Sequence, residues 1–239
     1  MGKKILVIIA ARGGSKGIKN KNIRNLRGKP LIAHTILQAI RWGKADKIIC
    51  STDSEYIARI AKEYGAQIPF IRPKNLAGDK IGKIPVLRHA LLHTERISKS
   101  RFDIIIDLDA TAPVRRSVDI ENALRIFRKS KAKSVFSVTH CRKNPYFNMV
   151  ETGKNGFVHL VKQSKTPFAR RQDAPVVYDM NASIYVYDRR YLLDERTTTA
   201  ISNKSAISIM NKWSAFDIDE ESDFQLIEFL CCKKGLVKL

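Results

Sequence analysis

The sequence predicts an α/β fold, a mostly parallel sheet with helices on both faces, and three observations carry that prediction. A fully apolar run, Ile5–Ala10, opens the chain; strand-like and helix-like segments then alternate over the first 140 residues; and a basic glycine loop directly follows the first run. An unbroken apolar run suits a strand covered on both faces. Repeated strand-then-helix units specify parallel pairing with crossover helices. A chain of 239 residues buries one sizeable core, so one domain over residues 1–239 is expected.

The elements follow in order. Pro30 should stand at the first position of a helix over Leu31–Trp42, because proline is favourable there. Lys47–Ser51 reads as a second strand, and Thr52 with Glu55 as a capping box for a helix through Tyr64. Ile68–Ile71 reads as a third short strand, closed by Arg72-Pro73. A helix over Lys83–Ile97, a central strand over Phe102–Leu108, a helix over Val118–Lys129 and a strand over Ser134–Thr139 continue the rhythm. From about residue 141 to 175 it breaks. Short alternating pieces, Phe147–Glu151 and Phe157–Val161, flank a Thr-Gly-Lys-Asn-Gly turn and read as an antiparallel excursion. Ser183–Tyr187 and Ala206–Met210 return to strand, and Ser222–Cys232 closes the chain as a helix.

Composition excludes several classes. The apolar run at the start is too short to span a bilayer, Arg12-Gly13-Gly14 follows it where a cleavage site would lie, and no later run is longer. Cys50, Cys141, Cys231 and Cys232 have neither metal-knuckle nor disulfide-framework spacing, as expected of reduced thiols in a cytoplasmic protein. His89 and His93 share a helical face but lack a third ligand, so a helix surface is the plainer reading. With 44 Lys plus Arg against 23 Asp plus Glu the net charge is +21, which raises nucleic-acid binding as a rival function. No aromatic-rich basic strand or recognition helix supports that rival. No acidic residue precedes Asp46, whereas Arg12, Lys16, Lys19, Lys21, Arg24, Arg27 and Lys29 crowd around the glycines. That concentration suits a small polyanion.

The loop Ala11-Arg12-Gly13-Gly14-Ser15-Lys16-Gly17 sits where open α/β sheets bind ligands, beyond the carboxyl end of a strand. Its glycines would admit phosphate oxygens to backbone N–H groups, and Arg12, Lys16 and Lys21 would add charge-assisted bonds. It is neither a P-loop nor a dinucleotide fingerprint, and a basic but ordinary strand-to-helix turn stays open beside phosphate binding. Asp107-Leu108-Asp109 ends the central strand and Asp217-Ile218-Asp219 is expected to end a late one, each pair presenting its carboxylates to one side. Such oxygen donors suit Mg²⁺. Capping of the last helix by Asp217 and Asp219 is the alternative, and the pattern alone leaves both open.

Blocks in order along nearly the whole chain then resemble the acylneuraminate cytidylyltransferases, the CMP-sialic acid synthetase family. They are Ala11–Ile18, Lys21-Asn22-Ile23, Gly28–Ile32, Ser51-Thr52-Asp53, Arg72-Pro73, Thr111–Arg115, Arg171-Gln172, Asn181–Tyr185 and Asp217-Ile218-Asp219. The resemblance implies a nucleotide-diphospho-sugar transferase-like, Rossmann-like fold. It implies transfer of CMP from CTP to the anomeric hydroxyl of an acidic nine-carbon sugar, N-acetylneuraminic or legionaminic acid, with pyrophosphate released. It also implies a homodimer in which the 141–175 excursion reaches the partner.

Residue by residue, it implies that Arg12, Lys21 and Asp219 are catalytic. Ala11, Arg12, Gly13, Ser15, Lys21, Asn22, Arg72 and Gly82 would bind nucleotide. Asp109, Thr111, Arg171, Gln172, Asn181 and Tyr185 would bind the sugar, and Asp217 and Asp219 would hold Mg²⁺. Two departures stand out. The stretch Asp79-Lys80-Ile81-Gly82 lacks the family's small-hydroxyl run, and Asp109–Arg115 reads Asp-Ala-Thr-Ala-Pro-Val-Arg where many members have Gln-Pro-Thr-Ser-Pro-Leu-Arg. Asp109 is therefore expected either to add a metal ligand, the reading preferred at this point, or to read a different sugar substituent. Asp179-Met180-Asn181-Ala182 with Asn144-Pro145-Tyr146-Phe147 looks closer to the legionaminic acid branch. A CMP-Kdo-type synthetase is the alternative enzyme.

Overall fold

A computed structural model describes residues 2–15, 17–232, 237 and 239; Lys16, named above as a phosphate contact, lies outside the described residues. Strand β1 (Ile5–Ala10) leads through a two-residue ribbon, β2 (Asn25–Leu26) and β3 (Lys29–Pro30), into helix α1 (Leu31–Trp42). Next come β4 (Lys47–Ser51), α2 (Glu55–Glu63), α3 (Lys83–Ser98), β5 (Ile104–Leu108), α4 (Ser117–Ser130) and β6 (Ser134–His140). A small hairpin, β7 (Val150–Thr152) and β8 (Val158–Leu160), precedes the long β9 (Tyr178–Asp188); α5 (Arg189–Leu193), β10 (Ser205–Ile209) and α6 (Glu221–Cys232) complete the chain.

The six-stranded sheet runs β10-β6-β9-β5-β1-β4. β1 pairs in parallel with β4 and β5, and β10 with β6. β9 alone runs antiparallel, wedged between β5 and β6. Alternation along β1 divides the core: Ile5, Val7 and Ile9 meet α1, α2 and α4 on one face, while Leu6 and Ile8 meet α3 and α5 on the other. A third apolar cluster joins Ile18, Leu26 and Leu31 to Ile218, Phe224, Ile227 and Leu230 of the C-terminal region. Arg24 reinforces that junction, lying 4.0 Å above the Phe224 ring and forming an ion pair with Glu221.

The structure corrects four local expectations. Ile68–Ile71 is not a strand: Gln67 makes one parallel bridge to Ile49, and Pro69 then has no N–H with which to continue the ladder. The cap of α2 is Ser54, whose hydroxyl accepts from the Ile57 N–H at 3.3 Å, while Thr52 instead accepts from the Ser54 N–H. Pro30 is the N-cap of α1 and pairs with Asn25, so it stands just outside the helix and not at its first position, while the helix itself keeps the expected bounds. Asp217-Ile218-Asp219 follows a short 3₁₀ turn and is not on a strand; its Ile218 N–H donates to the Thr111 carbonyl, which ties it to the loop after β5. His89 and His93 stack at 3.9 Å beside Phe70, so ring packing explains their spacing.

Closure between the two ends of the chain depends on Gly17. A Cβ there would sit 2.0 Å from the Asp219 carbonyl oxygen, and backbone cannot yield as a flexible side chain would. Gly17→Ala is expected to cost about 2 kcal/mol through overpacking, read as a lowered urea midpoint at unchanged m-value, with nucleotide affinity falling in parallel.

Candidate active site

A cavity of about 550 Å³ lies beyond the carboxyl ends of β1 and β5. The glycine loop contributes Arg12, Ser15, Gly17, Lys21 and Asn22 to its wall, and the approach to α3 contributes Arg72, Asp79 and Lys83. Asp109, Thr111 and Asp219 complete the polar lining. Arg12 and Asp219 therefore open onto one space, although 207 positions separate them in the chain.

The loop side is braced by its own hydrogen bonds. Asn22 donates to the Arg12 carbonyl at 3.0 Å, and the Gly13 N–H donates to Asp53 at 3.0 Å. Arg12 reaches Asp79 at 2.5 Å, joining the loop to the segment before α3. Lys21 donates to the Ile218 carbonyl at 2.5 Å and pairs with Asp219 at 2.9 Å. Arg72 is buried, with its guanidinium on the hydroxyl and carbonyl of Ser51. Burial pushes it below the usual guanidinium range, and Asp53 opposes that shift.

A second charged group lies at the end of β5. Lys83, the first residue of α3, places its ammonium 2.9 Å from Asp107 and 2.7 Å from Asp109. Burial works against the charge, but the two carboxylates outweigh it and raise Lys83 well above the ordinary lysine value. Asp107 is fully buried and burial raises it, with Lys83 opposing. For Asp109, burial is outweighed by Lys83 and by Thr111, which donates from both N–H and hydroxyl at 3.2 and 2.9 Å; the carboxyl is held below its ordinary value.

The surroundings of Asp217 and Asp219 bear on whether they can hold a divalent cation. Oδ1 of Asp217 is buried with no hydrogen-bond partner, and burial together with the charges of Asp109 and Asp219 raises this carboxyl. An orphaned oxygen in a crowd of carboxylates is what a hard cation relieves. Asp219 supplies a second, exposed carboxylate at the cavity mouth. Among the described residues no three His, Cys, Asp or Glu side chains form a metal cage. Mg²⁺ needs none, since it typically takes one or two carboxylates and completes its shell with phosphate and water. Asp217 and Asp219 fit such an ion. Asp109, engaged by Lys83 and Thr111, fits it less well than the sequence suggested.

Several other expected residues lie off the wall. Ala11 and Gly13 shape the loop from behind it, and Gly82 is the N-cap of α3 between two lining residues. Arg171 and Gln172 are exposed on a 3₁₀ turn, with Arg171 donating to the Arg142 carbonyl, so within one chain they do not reach the cavity. Asn181 is buried and satisfied: it accepts from Ser137 at 2.6 Å and donates to the Ser214 carbonyl at 2.8 Å. It fills the irregularity where β9 shifts register against β6, a structural role in place of the expected sugar contact. Tyr185 stands behind Lys83, its ring 4.7 Å from the ammonium. Sequence reasoning missed Lys83, and the signal available was its place directly after the glycine that begins α3.

Comparison with known proteins bears on this geometry. The cytidylyltransferase family model matches residues 6–237. The chain is 44% identical over 232 residues, 97% of each chain, to the CMP-N,N'-diacetyllegionaminic acid synthase of Campylobacter jejuni. It is equally similar, over the same share of each chain, to a post-translational flagellin modification protein B of Campylobacter coli. Among solved structures, a CMP:2-keto-3-deoxy-manno-octonic acid synthetase complexed with CTP superposes with a TM-score of 0.69 at 17% identity, over 96% of this chain and 98% of that one, a likeness of fold. A basic glycine loop and late carboxylates around one cavity, with a family match across almost the entire sequence, lead to one assignment: the chain belongs to the cytidylyltransferase family and is a nucleotidyltransferase.

Proposed function

We propose that this enzyme transfers CMP from CTP to the anomeric hydroxyl of a nonulosonic acid, legionaminic or N-acetylneuraminic acid, and releases pyrophosphate. The observation that carries the reading is the shared cavity of Arg12, Lys21 and Asp219, supported by the name and full-length similarity of the Campylobacter jejuni relative. In this reading the anomeric oxygen bonds to the α-phosphorus, the α–β phosphoanhydride bond breaks, and the hydroxyl proton is lost to solvent or substrate. Positioning and charge neutralisation dominate such transfers.

Arg12 and Lys21 offset the phosphate charge, Ser15 and Asn22 orient the triphosphate, and Arg72 reads the base from its buried seat. Mg²⁺ on Asp217 and Asp219 would neutralise phosphate oxygens and lower the pKa of the acceptor hydroxyl. Lys21 keeps the Asp219 carboxylate oriented and has donor capacity left for a phosphate oxygen.

The active form is proposed to be a homodimer, with residues 1–239 as one domain and 141–175 as the dimerisation segment. The segment exposes apolar surface: Phe157 is 75% exposed, and Val150, Val158 and, just beyond it, Val176 are also open. In this arrangement Arg171 and Gln172 serve the partner's sugar site. Four free cysteines suit a reducing cytoplasm, and among the described residues no helix is long and apolar enough to cross a membrane.

Incubating the enzyme with CTP, Mg²⁺ and a panel of legionaminic, N-acetylneuraminic and Kdo acceptors should yield a CMP-nonulosonate by mass and pyrophosphate; product with Kdo alone defeats the reading. Asp219→Asn should lower kcat/KM about 10²-fold and raise the Mg²⁺ concentration for half-maximal rate. Phe157→Asp should shift the sedimentation coefficient from dimer to monomer and weaken acceptor saturation more than CTP saturation.

A further inference from the structure

Two cations of the basic run that follows the glycines, Arg27 and Lys29, are not on the wall of the active-site cavity. They line a second cavity, of about 390 Å³, between the β2–β3 ribbon, α1 and the C-terminal residues, and Arg41 of α1 joins them there. Arg27 lies on the Cys232 sulfur at 3.4 Å, and Arg41 donates to the Leu239 carbonyl at 3.3 Å. None of the three meets an Asp or Glu side chain among the described residues. Glu228 is felt at Arg24 and Cys231 but does not line the space. Like charges around one concavity repel each other and are relieved by an anion that enters it.

Arg27 is also held in a conformation that suits other residues. The ribbon turns through Arg27 at φ 52° and Gly28 at φ 83°, the pair of positive angles that a two-residue hairpin loop needs and that Asn-Gly fills most readily. A bulky side chain at the first of these positions is strained, and strain of that kind gathers at ligand-binding positions.

A fourth group gives the cavity a chemical preference. His34 is only 5% exposed, yet its ring is part of the wall. Nε2 lies 2.8 Å from the Leu26 carbonyl; a carbonyl only accepts, so Nε2 carries the hydrogen of the neutral ring. Nδ1 makes no hydrogen bond among the described residues and keeps its lone pair. Burial holds the ring below the ordinary histidine value; the Leu26 carbonyl opposes this, while Lys29 and Arg41 add to it. A lone pair beside three cations suits an anion that still has a proton to give. A phosphate group loses its last proton only at about pH 6, so a P–OH is at hand to donate to Nδ1 while the other oxygens meet the cations. Sulfate has no such hydrogen.

We propose that this cavity is a second anion site, separate from the nucleotide site, which binds inorganic phosphate or the phosphoryl head of a phosphomonoester in preference to sulfate. His34 Nδ1 takes the P–OH, and Arg27, Lys29 and Arg41 hold the remaining oxygens. The site goes beyond the transfer reaction and does not depend on its nucleotide or acceptor. Its place gives it a mechanical effect: Leu26 and Leu31, on either side of the turn, pack with Ile218 and α6. An anion that draws the ribbon, α1 and the C-terminal residues together therefore consolidates the cluster beneath the Lys21–Asp219 pair.

The imidazole resonances of His34, assigned by their loss in His34→Gln, report on this cavity without nucleotide or acceptor present. Phosphate titrated into the full-length enzyme at constant ionic strength should move them to saturation, and sulfate should bind about tenfold more weakly because Nδ1 then goes unpaired. Lys29→Ala should weaken both anions about tenfold through loss of a charge-assisted bond. His34→Gln sets an amide nitrogen on the Leu26 carbonyl in place of Nε2 and leaves nothing at the Nδ1 position. Its melting temperature without ligand should stay near wild type, while the extra stabilisation by phosphate over sulfate disappears. Glycerol 3-phosphate separates the two sources: binding tighter than that of inorganic phosphate assigns a monoester, weaker binding assigns the free ion, and either supports the site. Equal, unsaturated shifts with phosphate and sulfate reduce the cluster to a screened basic surface and overturn the proposal. So does a phosphate preference that survives in His34→Gln, or a response confined to the other histidines.

Discussion

The ammonium of Lys21 joins the glycine loop to the segment before α6, and the shape of the site depends on that junction. It lies on the Ile218 carbonyl and the Asp219 carboxylate, residues that follow it by about 200 positions. Without it, the cationic loop and the acidic turn would still pack together, but their charged groups would lose a shared anchor at the cavity mouth. Lys21 is only 13% exposed although Asp219 is open to solvent, so its bond to the Ile218 carbonyl is the shielded half of the junction and the ion pair is the half that salt screens. Three further features act at the same place: the apolar cluster under α6, the stack of Arg24 on Phe224, and the bare backbone of Gly17 against Asp219. Packing brings the strands' carboxyl ends and the C-terminal helix together, and the ion pair then fixes their facing groups.

The same economy of charge explains why a chain with a net charge of +21 keeps a structured acidic cluster at its centre. Asp107 would be prohibitively costly in the core if alone. It is tolerated because Lys83 lies against it and Arg115 is near. The fully buried Arg115 in turn has its terminal nitrogens on backbone carbonyls and hydroxyls, those of Asp109, Ser183 and Thr35. Residues whose chemistry points inward therefore stiffen the loop that carries Asp109 and Thr111 to the cavity.

Much of this was legible in the sequence, and the limits have physical causes. Ile5–Ala10, Leu31–Trp42 and Lys47–Ser51 emerged with the observed bounds, because unbroken apolar runs and helical periodicity report burial directly. The strand expected at Ile68–Ile71 did not form, since alternation is blind to the missing N–H of Pro69. Arg12, Lys21, Asn22, Arg72 and Asp219 meet at the cavity as expected, since basic residues near glycines carry a local signal. Lys83 follows a glycine too, but its meaning comes from two aspartates at the end of β5, which the chain reaches only 24 residues later. Asn181 was misread for a related reason, because an amide that fills a register shift and one that reads a ligand are spelled alike.

β9 carries a geometrical consequence. A strand running against both neighbours cannot be entered by a crossover helix, so the chain must leave β6 and enter β9 at one and the same rim, where His140 sits opposite Tyr178. That rim is the one at which β1 and β5 also end and the cavity opens. Reversal of a single strand thus dictates where some three dozen intervening residues emerge. Any lengthening, shortening or recolouring of that connection alters the neighbourhood of the reactive space while leaving the ladder beneath it untouched, which gives the scaffold a place to vary without refolding.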